Sequence, residues 1–95
     1  MMIEQSKQVA LSMLKIRLNR ADNNLDAYLL ARLDAEIGRF VDNGIVLTDT
    51  TDDIMLLVDM AAWAYGNREQ HGHMPEWLRL ARRERWLKEG RDNDT

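Results

Sequence analysis

A chain of 95 residues with 45% hydrophobic and 31% charged side chains has room for one domain and is too apolar for a disordered polar chain. Net charge is −3 and cysteine is absent, which excludes a disulfide framework and any thiolate metal site and fits a reducing compartment. A domain of this size buries only about 60–65% of the surface its unfolded chain exposes, so burial against other subunits is a natural supplement to a thin core.

The opening stretch, MMIEQSKQVALSML, is interrupted by Glu4, Gln5, Lys7 and Gln8 and lacks the apolar block of a signal peptide. The longest apolar run, Ile54 to Tyr65, is broken by Asp59 and is too short to span a bilayer. A soluble domain without membrane contact is expected.

No stretch alternates apolar and polar residues as a half-buried strand does, and the periodic segments predict an all-α domain of four helices. The first is expected from about Ser6 to Leu18, with Val9, Met13 and Ile16 on one stripe and Ala10, Leu14 and Leu18 adjoining it. The second opens at Asn23 or Asn24 as N-cap, with Asp26 in the first turn where the helix dipole favours an acid. Leu25, Leu29, Leu33, Ile37 and Val41 recur along it, Tyr28 and Phe40 widen the stripe, and Gly44 supplies a left-handed stop.

Ile45 to Leu47 form a short apolar connector, and Thr48 to Asp53 supply caps for the third helix, which runs from Asp52 or Asp53 to Tyr65. Asp59 is the one polar residue in the twelve positions from Ile54 to Tyr65, so this helix is expected to be the buried centre, covered all round. Gly66 and Asn67 close it, and Asn67 to His73 form a polar loop. Pro75 opens the fourth helix, on which Trp77, Leu80, Ala81 and Leu87 form one face broken by Glu84. Leu78 and Trp86 fall off that stripe. The whole chain, residues 1–95, reads as one domain with a polar tail from about residue 90.

Charge is segregated. Nine acids lie between Asp22 and Asp59 against Arg32 and Arg39, whereas Glu76 to Arg91 carries six cations against three acids. An acidic middle and a basic end favour oriented contacts with charged partners.

Candidate chemistry is sparse. His71 and His73 flank a glycine but lack the further ligands a zinc site needs, and a solvated loop explains them. Asp49, Asp52 and Asp53 lack the calcium-loop pattern and are explained by capping. Asp59 is the candidate buried polar group, expected to pair with an arginine of the second or fourth helix. Serine occurs only at Ser6 and Ser12, with no nucleophile elbow and no glycine-rich phosphate loop, so no catalytic or cofactor-binding residue is assigned. The interface candidates are Leu78, Arg79, Arg82, Arg83, Arg85 and Trp86, because tryptophan and arginine are enriched at interface centres. The same arginines are candidates for phosphate-backbone contact.

The order of these pieces resembles the small head–tail connector, or adaptor, proteins of tailed bacteriophages and prophages. The resemblance is carried by Met13-Leu14-Lys15-Ile16, the amphipathic run Leu25 to Val41 with Ala35-Glu36-Ile37, and the connector Gly44-Ile45-Val46-Leu47. It continues through Ala61-Ala62-Trp63-Ala64-Tyr65 and Met74-Pro75-Glu76-Trp77-Leu78 leading into a basic helix. It covers nearly the whole chain and rests on pattern rather than on an invariant signature.

The resemblance implies a virion subunit, held in the host cytoplasm before assembly, that forms a homo-oligomeric ring beneath the portal protein. Such a ring extends the channel for genomic DNA and docks the stopper or tail-completion protein, without catalysis or cofactor. The charge segregation would then set subunit register, an acidic face meeting a basic one. No long loop suited to reaching into a portal is present. The alternative reading is a small helical regulator that binds DNA or protein through the basic fourth helix.

Overall fold

The computed structural model describes residues 2–67 and 72–93, side chains only as far as Gly90 in the last helix. The chain is all-helical: α1 is Glu4–Arg17, α2 Asp26–Asp42, α3 Thr51–Gly66 and α4 Glu76–Asn93, with no strand among the described residues. His71 lies outside those residues, and His73 is exposed.

Helix ends follow local chemistry. At the end of α1, Asn19 takes φ 60° and the N–H groups of Asn19 and Arg20 donate to the carbonyls of Ile16 and Lys15. At the end of α2, Gly44 takes φ 85° while Gly44 and Ile45 donate to Val41 and Phe40. Both are Schellman motifs, in which a left-handed residue returns two N–H groups to the last turn. Ile45 and Phe40, the apolar pair that accompanies the second motif, are both buried.

The start of α3 falls within the expected cap segment Thr48 to Asp53, with Asp52 and Asp53 in its first turn, but none of the acids is the N-cap. Thr50 is the N-cap, its hydroxyl accepting from the Asp53 N–H at 3.3 Å. Asp49 instead accepts from the N–H of Ile3 at 2.8 Å, tying the start of α1 to this loop. The start of α2 is likewise not capped by an asparagine: Leu25 holds the N-cap position without a side-chain bond, and Asn23 accepts from Lys15. Pro75 stands just before α4, its carbonyl accepting from Leu78 and Arg79.

α3 packs against each of the other helices, and α1 also packs on α2. Leu57 and Ala61 at its centre are fully buried, surrounded by Leu14 of α1, Leu29 and Leu33 of α2, Ile45 and Leu47 of the connector and Leu78 of α4. The third helix is therefore the core element, but it is not covered all round, since Met55 is exposed.

Two stripes are rotated from their expected positions. On α1 the buried line is Ser6, Ala10, Leu11 and Leu14, whereas Val9 is exposed and Ile16 is 80% exposed. On α2 the buried line is Leu29, Leu33, Glu36 and Phe40, and Val41 is exposed. A repeat of four residues advances roughly 40° past a full turn at 3.6 residues per turn, so the Leu25-to-Val41 series spirals off the contact face. Spacing of four, three and four residues keeps to it.

Candidate interaction surface on the C-terminal helix

Among the described residues α4 packs on α3 alone of the helices. Its inward line is Leu78, Ala81, Arg85 and Glu89, spaced three or four residues apart as one helical face requires. Leu78 is 0% exposed and part of the core, which removes it from the interface candidates. Its register, rather than that of Trp77, fixes which side of α4 meets the body.

Arg85 is also engaged within the chain. Its guanidinium donates to both carboxylate oxygens of Asp53, to the Val46 carbonyl at 2.9 Å and to Glu89 at 2.7 Å. Burial pushes the Asp53 carboxyl upward, but the bonds from Arg85 and from the Thr48 N–H and hydroxyl prevail and hold it below the usual carboxylate range. Arg85 is held more firmly cationic by Asp53, against the opposing effect of burial, with Glu89 adding to it.

The remaining candidates stay on the surface. Arg79, Arg82, Arg83 and Trp86 line a shallow cleft of about 360 Å³ with Asn43 and Ile45. Trp86 is 52% exposed and lies beside Gly44, where a Cβ would stand 3.7 Å from its indole nitrogen. Arg79 also donates to Glu76 at 3.2 Å. The face expected to enter the core, Trp77, Leu80 and Leu87, points outward instead, with Trp77 53% exposed.

Asp59 is corrected as well. Its side chain is 25% exposed, and it pairs with Arg17 of α1 rather than with an arginine of α2 or α4. The deeply buried acids are Asp53 and Glu36, the latter 3% exposed. Sequence reasoning treated Asp53 only as a cap and missed the burial of Glu36. The signal was present, because Glu36 falls between Leu33 and Phe40 at core spacing.

Glu36 borders a cleft of about 260 Å³ with Phe40, Met60, Trp63, Met74, Arg39 and Arg82. Burial raises its carboxyl above the ordinary value, against the opposing pull of Arg39 and Arg32. Arg39 donates to it at 3.0 Å. Met13 and Ile16 of α1 and Met55 and Val58 of α3 line a separate apolar groove of about 330 Å³ with Arg17 and Asp59 at its edge. Among the described residues no group of three or more histidines and acids is placed to hold a metal ion, and no helix is long and apolar enough to cross a membrane.

No protein-family model, curated protein or solved structure matches the chain. Its surfaces must therefore be read from their own chemistry. α4 combines large exposed apolar side chains with a cluster of arginines, a composition suited to macromolecular contact. The clefts of the described surface are shallow and open.

Proposed function

We propose that the chain is a structural head–tail connector subunit of a tailed phage, assembling into a homo-oligomeric ring between the portal and the stopper or tail. The observation that carries this reading is the exposed apolar surface of α4. Trp77, Leu80, Trp86 and Leu87 are all exposed on a helix already anchored to the body by Leu78 and Arg85. A chain that leaves such side chains in water gains from covering them with another protein. The sequence pattern from Met13 to the basic fourth helix, which resembles that of the phage adaptors, supports assembly with portal over other partners.

The test is electron microscopy of the purified protein alone at high concentration and mixed with its portal. The connector reading expects a protein that is monomeric or weakly associated alone and forms rings with portal, or at high concentration. Failure to form rings with portal overturns it.

A second reading is favoured by one observation, the gathering of Arg79, Arg82 and Arg83 around Trp86 at a single cleft. Cations beside an exposed aromatic ring suit a nucleic-acid backbone with a base stacked on indole. A regulator of this kind shifts a labelled duplex with a steep salt dependence and does not form rings.

A further inference from the structure

The cleft between α4 and the end of α2 has side chains of one chemical kind. Arg79, Arg82, Arg83 and Trp86 share one face of α4 at helical spacing, and Asn43 and Ile45 close the other side. Guanidinium and indole N–H groups donate and cannot accept, and the only other polar side chain in the lining is Asn43. No acid lines the cleft. Arg82, Arg83 and the Trp86 indole N–H make no hydrogen bond or ion pair with any described residue. Arg79 donates to Glu76, but both side chains are exposed and such a pair is weak in water. Arg82 also borders the neighbouring cleft, where Glu36 is paired with Arg39 and Asp42 is the other acid.

Trp86 is half exposed yet braced. Its indole nitrogen lies 3.7 Å from where a Cβ on Gly44 would stand, so the ring rests against the connector while the remainder faces water.

We propose that this cleft binds a single strand of nucleic acid, its phosphates held by Arg79, Arg82 and Arg83 and one base stacked on Trp86. The inference rests on the nucleic-acid reading above and names its ligand. Guanidiniums without partners call for an anion rich in acceptor oxygens, and phosphate fits their forked geometry. An open indole face beside them calls for a second flat ring. In a duplex the base faces are stacked away, and the grooves offer only base edges. A single strand presents phosphate and base face together. An acidic peptide would answer the arginines and leave the indole without a partner.

The test is fluorescence anisotropy of a labelled short oligothymidylate titrated with the full chain, with a duplex of equal length and polyglutamate as competitors. Circular dichroism checks that each variant keeps its helices. The single strand should bind and weaken with salt, at a log–log slope of about −2 for three phosphate contacts. Trp86→Ala should weaken binding about tenfold, and Trp86→Phe should retain most of it. Arg82→Gln with Arg83→Gln should reduce the slope by about 1.4. A duplex bound as tightly as the strand, with no effect of Trp86→Ala, overturns the inference and leaves a duplex-binding regulator standing. Displacement by polyglutamate as effective as by unlabelled strand means a general polyanion surface and overturns it too. Binding of neither nucleic acid at low salt overturns both the inference and the nucleic-acid reading.

Discussion

Arg85 and Asp53, 32 residues apart, form a buried two-point pair: Nε donates to Oδ1 at 2.8 Å and Nη2 to Oδ2 at 3.2 Å. The pair joins the first turn of α3 to the middle of α4. The same carboxylate accepts from the Thr48 N–H at 2.7 Å and the same guanidinium reaches the Val46 carbonyl, so the connector is bound into it. Among the described residues only α3 of the helices packs on α4, which makes this pair, with Leu78, the chief anchor of the helix that bears the proposed interface.

Arg85→Ala should therefore cost about 3–5 kcal/mol in urea unfolding, because it leaves the Asp53 carboxylate buried without its cation. Arg85→Lys should recover only part of the loss, since an ammonium cannot match both oxygens in one plane. A loss within 0.5 kcal/mol, the range of ordinary surface substitutions, would show that α4 is held by apolar contact alone.

The two buried acids should leave opposite marks on stability against pH. Asp53 is held below its ordinary value of 3.8, so its contribution is present above that value and lost as pH falls through the lower folded one. Glu36 is held above its ordinary value of 4.5, so its contribution is full below 4.5 and lost as pH rises through the higher folded one. Asp53→Asn should flatten the acid limb and lower stability at neutral pH. Glu36→Gln should stabilise at neutral pH, with the gain shrinking toward acid. Denaturation at a series of pH values checks both signs.

Leu78 and Trp86 should separate folding from assembly. Leu78→Ala removes a fully buried side chain and should cost about 2–5 kcal/mol. Trp86→Ala should leave monomer stability within about 0.5–1 kcal/mol and weaken association measured by sedimentation. A large loss of monomer stability for Trp86→Ala would place that indole in the core.

Reversing the charge of Arg82 and Arg83 should impair association with little effect on the monomer, because Arg83 is exposed and Arg82 partly so. Normal ring formation by that double variant would remove the basic side of α4 from the contact.

At the start of α3, Thr50→Ala should lower the unfolding free energy by roughly 1 kcal/mol by leaving the Asp53 N–H without its hydroxyl acceptor. Thr50→Ser should restore it. Unaltered stability in the alanine variant would mean that the Asp53 side chain alone organises this turn.

Much of the chain is legible in its sequence. Gly44 predicted a left-handed stop and takes φ 85°, because glycine bears no Cβ to clash there. Gly66 and Asn67 close α3, with the Asn67 amide donating to Trp63 O at 2.9 Å. The candidate surface was legible only in part. Trp86, Arg79, Arg82 and Arg83 lie outside as expected, while Leu78 and Arg85 are turned inward and Trp77 outward. On α4 apolar residues occupy several faces, so composition alone leaves the register open, and burial of Leu78 together with the Arg85–Asp53 pair selects it.

The sequence by itself determined that this is a four-helix chain with α3 at its centre, since local periodicity, apolar content and glycine stops depend on neighbours along the chain. Which side of α1, α2 and α4 meets that centre was decided by the tertiary structure alone. A helix with apolar side chains on two faces can bury only one against a given neighbour, and long-range contacts choose between them. Here they bury Glu36 and Asp53, and leave Ile16, Met55, Trp77 and Leu80 in water.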